Sequence, residues 1–301
     1  GMIEYHRNLL ADELRTNAYR KAIQRTVKKG DVVLDIGCGS GILSFFACEA
    51  GASKVYAIDR GGMAGVAQFL TRHLGFEDRI TVLRDESTSV EISERADVVI
   101  TETMGVLGLD ENILGSIIDA RTRLLRPGAA VVPQQLKLMI VPGELPEFHE
   151  KHVAWWNEKR YGFDLSPLRV FASNSILFIN LADDAYLAKP ASIIDLDLTT
   201  ATSTLARGRM QFTAKRSATV HGFGLWFVTT LVDGITITNI DPGGTHWGQG
   251  FLPLEYPIDV ARGANIEVDL ETDDGRTWRW RGKAGREEFD QTTLFASVPF
   301  G

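Results

Sequence analysis

The run Val32 to Gly41 (VVLDIGCGSG) constrains the fold of this chain more than any other segment. Five residues of buried-strand character lead into a turn in which Gly37, Gly39 and Gly41 alternate with Cys38 and Ser40. An apolar helical stretch, Ile42 to Ala50, follows at once. Glycine lets a backbone turn sharply and approach a ligand closely, because no Cβ intrudes and positive φ costs little. The same rhythm continues downstream, with a strand at Lys54 to Ile58, a helix at Gly62 to Leu74, and strands at Ile80 to Leu83 and Ala96 to Thr101. A helix from about Ile113 to Leu125, a turn at Arg126-Pro127-Gly128 and a strand at Ala130 to Val132 complete it. An amphipathic helix from Asp12 to about Lys29 precedes the first strand. This alternation predicts an α/β fold, a Rossmann-like doubly wound parallel sheet.

Beyond Pro133 the pattern changes to alternating runs, Leu136 to Val141, Ser192 to Leu198, Gln211 to Ala214, Gly222 to Leu231 and Ile266 to Leu270, separated by Gly, Pro and Asp turns. These predict antiparallel strands in a β-barrel-like unit. Glu147 to Gly162 reads as a helical excursion whose two tryptophans need a burial partner. The expected division is residues 1–132 and 133–301, with a helical arm at about 147–176. A chain of 301 residues with 44% hydrophobic content has enough apolar material for two such units. The formal net charge of −7 leaves no electrostatic footprint for nucleic acid. The two cysteines, Cys38 and Cys48, do not make a disulfide framework. No apolar run approaches the roughly eighteen residues of a membrane span, so a cytoplasmic protein without membrane contact is expected. His149 and His152 share a helix face but lack companion ligands, and no metal site is expected.

Two acids frame the glycine turn. Asp59 ends the second strand, where a carboxylate can accept from both hydroxyls of a ribose, which fits a dinucleotide or S-adenosylmethionine. The spacing G-x-G-x-G, rather than G-x-G-x-x-G, and the preceding Asp35 favour the second, since a carboxylate suits an amino-acid ammonium better than a phosphate.

The segment Thr101-Glu102-Thr103-Met104-Gly105-Val106-Leu107-Gly108-Leu109-Asp110-Glu111 resembles the double-glutamate loop of the protein arginine methyltransferases. Further pieces fall in family order: Asp12-Glu13-Leu14-Arg15-Thr16, Trp155-Trp156, Tyr161-Gly162-Phe163-Asp164 and Thr245-His246-Trp247. The resemblance implies that Glu102 and Glu111 hold a substrate guanidinium, with Met104 and Trp247 beside it. It implies that Arg15 pairs with the carboxylate of the cofactor's methionine moiety, that His6 and Gly37 line the cofactor pocket, and that Asp59 holds the ribose. His246 would lie near the carboxylates and pair with Asp12. It also implies a homodimer formed through the arm, and an arginine-containing protein or peptide as substrate. The chemistry agrees: a guanidinium stays protonated and its lone pairs are delocalised, so it is a poor nucleophile. Two carboxylates gripping it localise charge on some nitrogens and free electron density on the one facing the methyl group.

Three departures from the family pattern stand out. Thr103 and Val106 occupy positions that are usually aromatic, which predicts a differently shaped substrate channel. Thr88 stands where an acid usually meets the adenine amino group. The family's tyrosine-rich N-terminal helix, which folds over cofactor and substrate, has no counterpart ahead of His6, and Tyr5 does not replace it. Methylation of another nucleophile, or a silent scaffold that binds S-adenosylmethionine, remain alternatives at this stage. A nicotinamide-dependent oxidoreductase is disfavoured by the glycine spacing.

Overall fold

The computed structural model describes residues 2–240 and 248–297. Two helices open the chain, α1 (Met2–Ala11) and α2 (Glu13–Thr26), hinged at Asp12, whose Oδ1 accepts the Arg15 backbone N–H at 3.1 Å. Such a cap satisfies one of the unpaired donors of a first helical turn. Then come β1 (Val32–Ile36), α3 (Ile42–Glu49), β2 (Lys54–Ile58), α4 (Met63–His73), β3 (Ile80–Leu83), β4 (Ala96–Thr101), α5 (Ile113–Arg123) and β5 (Leu125–Val132). The strands pair in parallel in the order β3-β2-β1-β4-β5. Every residue of β1 is buried, which is why its sequence is an apolar run and not an alternation. α3 buries Leu43, Phe46 and Ala47 against it, and a large side chain so buried contributes about 1.5–3 kcal/mol. The turn at Arg126-Pro127-Gly128 interrupts β5: Leu125 pairs with Ala96 and Ala130 with Val98, so the turn lies between the two pairings.

Order 3-2-1-4-5 reverses between β1 and β4. At that reversal the loops leaving the carboxyl ends of the two strands diverge and open a crevice. The glycine turn and the segment from Glu102 to Glu111 are those two loops.

The remainder is antiparallel. β6 (Gln135–Gly143) leads to α6 (Pro146–His152), a 3-10 turn at Ala154–Asn157, α7 (Arg169–Ser173) and β7 (Leu177–Ile179). There follow β8 (Ala191–Asp197), β9 (Leu205–Thr213), β10 (Ala218–Val232), β11 (Ile235–Thr238), β12 (Gln249–Val260), β13 (Asn265–Asp273), β14 (Trp278–Ala284) and β15 (Glu287–Thr292). They make a six-stranded sheet, β7-β12-β10-β6-β8 with β11 on β10, and a four-stranded sheet, β15-β14-β13-β9. Phe212, Phe223, Ile266, Leu270 and Trp280 belong to one buried apolar core that also takes in the parallel sheet.

Several expectations shift. The helical excursion at 147–162 is made of two pieces, α6 and the 3-10 turn at Ala154–Asn157. It breaks after His152, and Tyr161 (φ 54°) and Gly162 (φ 85°) turn left-handed where Arg160 bridges Phe163. The two tryptophans find their partners locally: Trp155 and Trp156 pack edge to face at 4.9 Å, and the Arg160 guanidinium lies 4.2 Å from the Trp155 ring centre. β12 was not foreseen, because Pro253 and Pro257 mask its alternation. Nor was α1, which is short, largely exposed and has no buried residue to mark a periodic face.

Candidate active site

Hydrogen bonds at the switch point stitch the two loops together. Thr101 Oγ1, at the end of β4, donates to the Ile36 carbonyl at the end of β1 (2.8 Å) and lies 2.9 Å from Thr103 Oγ1. Tyr19 of α2, fully buried, donates its hydroxyl to the Thr101 carbonyl at 2.8 Å. Gly37 (φ 72°) sits so close that a Cβ there would lie 2.6 Å from Thr103 Cγ2. Gly39 (φ 53°) leaves room only for His6, whose Cε1 would be 2.9 Å from such a Cβ. Asp59 braces the turn from β2: Oδ2 accepts the Gly39 N–H at 3.0 Å and Oδ1 that of Gly61 at 2.7 Å.

Around these loops lies a cavity of about 810 Å³, within the range that holds a cofactor-sized ligand. Of the residues singled out in the sequence, His6, Arg15, Gly37, Gly39, Asp59, Glu102, Met104 and Glu111 all line it. Five do not. Gly41 caps α3, and Asp12 caps α2. Thr88 is exposed and off the lining, which runs through Asp85, Glu86 and Ser87 instead. Asp35 is fully buried behind the turn, with Oδ2 accepting from Ser44 Oγ at 2.6 Å and Oδ1 without a partner among the described residues. Burial pushes its carboxyl up to about 7, against the Ser44 hydrogen bonds that lower it. His246 and Trp247, with Thr245, lie outside the described residues.

Glu102 is the electrostatic centre. Its side chain is 10% exposed and pairs with the Arg15 guanidinium, 5% exposed, through Nη1. Arg15 Nη2 donates to the Leu9 carbonyl at 3.1 Å, and its buried Nε has no partner among the described residues. Burial raises the Glu102 carboxyl to about 7, with Arg15 pulling it down and Glu111 pushing it up. Glu111, which also lines the cavity, is raised too, first by desolvation and then by Asp110. Arg15, expected to face a cofactor carboxylate, thus meets a carboxylate of the protein here.

The segment from Glu102 to Glu111 is shaped by groups the sequence reading did not single out. Asp110 Oδ1 accepts the Leu107 N–H at 3.0 Å. Gly105 permits this, since a Cβ there would lie 2.2 Å from Asp110 Oδ2. From the antiparallel part, buried Asn239 donates to the Val106 and Gly248 carbonyls, both at 2.7 Å, and accepts the Phe227 N–H at 2.9 Å. Arg276, in the β13–β14 turn, lines the cavity as well. The run Asp273-Asp274-Gly275 does mark a turn in the sequence. Nothing local marks where that turn docks. At the N-terminal end, Met2, Tyr5, His6, Leu9 and Leu10 of α1 line the cavity as well. Among the described residues, no cluster of three or more His, Cys, Asp or Glu is placed to hold a metal ion, and no helix is long and apolar enough to cross a membrane.

Known proteins carry the same architecture. The family profile described as arginine methyltransferase oligomerization subdomain matches residues 135–282, and that described as ribosomal protein L11 methyltransferase matches residues 16–132. Protein arginine N-methyltransferase 6 of Xenopus laevis is 34% identical, over 89% of this chain and 83% of its own. Protein arginine N-methyltransferase 1 of Dictyostelium discoideum is 32% identical, over 88% and 80%. Among solved structures, the PRMT1 enzyme–prozyme heterotetrameric complex of Trypanosoma brucei with AdoHcy aligns over 96% of both chains, at 25% identity and a TM-score of 0.84. Arabidopsis thaliana protein arginine methyltransferase 10, at 24% identity and a TM-score of 0.80, shares the fold. With a switch-point cavity lined by Glu102 and Glu111, and relatives matched over most of both chains, this chain belongs to the protein arginine N-methyltransferase family.

Proposed function

We propose that the protein transfers a methyl group from S-adenosylmethionine to a guanidinium nitrogen of arginine in a protein or peptide, with Glu102 and Glu111 as the residues that hold the acceptor. One observation carries this reading: the buried Glu102 carboxylate already seats a guanidinium, that of Arg15, in the cavity that Glu111 also lines. A site that stabilises one guanidinium has the charge and shape for another.

The cavity residues fit the cofactor. The glycine turn brings its backbone to the wall without side chains, Asp59 keeps lone pairs for a ribose beyond its two backbone bonds, and the orphaned Arg15 Nε calls for an acceptor such as a carboxylate. When bound, the cofactor supplies a methyl group on a sulfonium, which is both electrophile and leaving group. The protein's share is to bind and orient. Glu102 and Glu111 would hold the guanidinium and turn one nitrogen toward the donor, and much of the rate would come from that orientation. Their charge in a desolvated cavity favours the nitrogen as it becomes more positive. That nitrogen loses one proton, which Glu111, an exposed carboxyl raised by partial desolvation and by Asp110, is suited to accept. His246 with Asp12 is the proposed onward acceptor, a role supported by resemblance.

Mass spectrometry of arginine- and glycine-rich peptides incubated with S-adenosylmethionine tests the assignment. Methylarginine is expected with the intact protein and not with Glu102→Gln. Cofactor binding without methylarginine would move the activity to another acceptor or to a silent scaffold.

The division at Pro133 and a homodimer belong to the same proposal. Support for the first is that the two profile matches end and begin on either side of it. Support for the second is exposed apolar surface on α1 (Met2, Ile3, Tyr5) and on the arm (Tyr161, Phe163). Light scattering showing only monomer at micromolar concentration would remove the dimer. Two free, buried cysteines accord with a reducing, cytoplasmic setting.

A further inference from the structure

The helix that follows Glu111 has no cap of its own. α5 begins after Asn112, which is left-handed (φ 62°) and makes no side-chain cap bond, and its first turn carries no acid. The missing carboxylate arrives from the far end of the chain. Asp274, in the turn between β13 and β14, places Oδ1 3.2 Å from the Leu114 N–H and Oδ2 2.8 Å from the Gly115 N–H. These are the second and third residues of α5, whose donors an N-cap side chain normally satisfies. Asp274 is fully buried and itself left-handed (φ 48°). Its backbone N–H is held by the Thr204 carbonyl at 2.9 Å.

The contact continues through the next residue. Gly275 (φ 72°) presses so closely on the loop that a Cβ would lie 2.4 Å from the Leu109 carbonyl oxygen and 2.5 Å from Asp110 Cα. Trp278 Nε1 donates to the Gly275 carbonyl at 3.0 Å and braces the turn from behind. The turn therefore grips the chain on both sides of Glu111, at Leu109–Asp110 before it and at Leu114–Gly115 after it.

We propose that Asp274 is a positioning residue for the acceptor site: by capping α5 from the antiparallel unit, it fixes the backbone that carries Glu111. The proposal rests on the reading of Glu111 as a guanidinium-holding residue. A carboxylate suits this place because the first turn of a helix presents partial positive charge and free donors. Burial raises the Asp274 carboxyl while the Gly115 and Leu114 amides lower it, as expected of an acid held for its contacts and not for solubility.

The test compares wild type, D274N and D274A by three readouts: amide exchange at Leu114 and Gly115, affinity for S-adenosylhomocysteine, and kcat and KM on an arginine peptide. In D274A the two amides are expected to exchange at least about ten-fold faster, and kcat/KM to fall about a hundred-fold, the scale of a small misplacement of a reacting partner. S-adenosylhomocysteine affinity should stay within about two-fold, because Asp59 and the glycine turn lie elsewhere. D274N, which keeps one acceptor, should recover part of both losses. Unchanged exchange, unchanged kcat/KM, or a loss of cofactor affinity as large as the loss of kcat/KM would overturn the proposal. If wild type itself leaves arginine unmethylated, the functional reading fails, while exchange still decides whether Asp274 caps the helix; D274N serves where D274A does not fold.

Discussion

On the proposed cofactor side of the cavity, the supporting bonds are short in sequence: Asp59 reaches the Gly39 amide across 20 positions, and Ser44 reaches Asp35 across 9. On the proposed acceptor side they are long, with Asn239 reaching Val106 across 133 positions and Asp274 reaching Gly115 across 159. One wall is assembled by a strand, a turn and the next strand. The other is a loop that acquires its shape only once the antiparallel sheets have folded against it. A locally closed wall keeps its form when distant residues change, whereas a loop propped from afar transmits changes in its props to the substrate. Substitutions that separate the two walls test this directly.

Glu102→Gln should have the largest effect. It leaves the shape of the loop but removes the charge that meets a guanidinium, and kcat/KM on an arginine peptide should fall about a thousand-fold, the upper range for loss of one electrostatic contact. Arg15 then keeps its charge in a buried place without its carboxylate. Affinity for S-adenosylhomocysteine, measured by calorimetry, should change far less, and an equal loss would deny that the two walls are separable.

Asn239→Ala should come next. The side chain is 1% exposed and makes three hydrogen bonds, one to the loop at Val106. Their removal should cost about 3 kcal/mol of unfolding free energy in urea, at about 1 kcal/mol each. The peptide KM should rise while cofactor affinity holds.

How far each wall could be read in advance follows the same division. Strands Val32–Ile36, Lys54–Ile58, Ile80–Leu83 and Ala96–Thr101 stand where hydrophobic runs and glycines put them, because those signals are local. Paired Glu102 and Glu111 were legible through resemblance of their loop, and the structure brings both to one cavity. Asn239, Asp274 and Arg276 were not. A polar residue in a β-rich tract has no periodicity that tells which distant backbone it will meet. β14 was missed although Trp278 and Trp280 alternate with Arg279 and Arg281, since a run this short with half its positions charged reads equally as loop. α1 was missed because none of its residues is buried, so no apolar face repeats along it.

A smaller effect is expected where the walls touch. Gly37→Ala imposes a left-handed alanine, costing about 1–2 kcal/mol, and drives its Cβ toward Thr103 Cγ2. S-adenosylhomocysteine affinity should drop about ten-fold. Thr103→Ser deletes that methyl but keeps the hydroxyl beside Thr101, so the double variant should regain the steric part and not the backbone part. If the double variant is no better than Gly37→Ala, the glycine answers to its dihedral alone and the walls do not communicate here.

The smallest effect is a pH dependence that both walls share. Burial raises Asp35 and Glu102 alike to about 7, well above the ordinary carboxyl range they regain on unfolding. A raised acid stabilises the fold fully when protonated in both states, below the unfolded pKa, and that contribution is lost as pH rises through the folded value. Between pH 6 and pH 8 each carboxyl should therefore take about 1 kcal/mol from the stability of the ligand-free protein. Urea titrations across this window should show a shallower slope in Glu102→Gln than in wild type. Catalysis should run the opposite way, because Glu102 grips a guanidinium only when ionised: kcat/KM on the peptide should rise over the same interval. A bound guanidinium lowers the carboxyl further, so the rise in kcat should lie at lower pH than the rise in kcat/KM. Coincident midpoints would mean that the acceptor does not rest on Glu102.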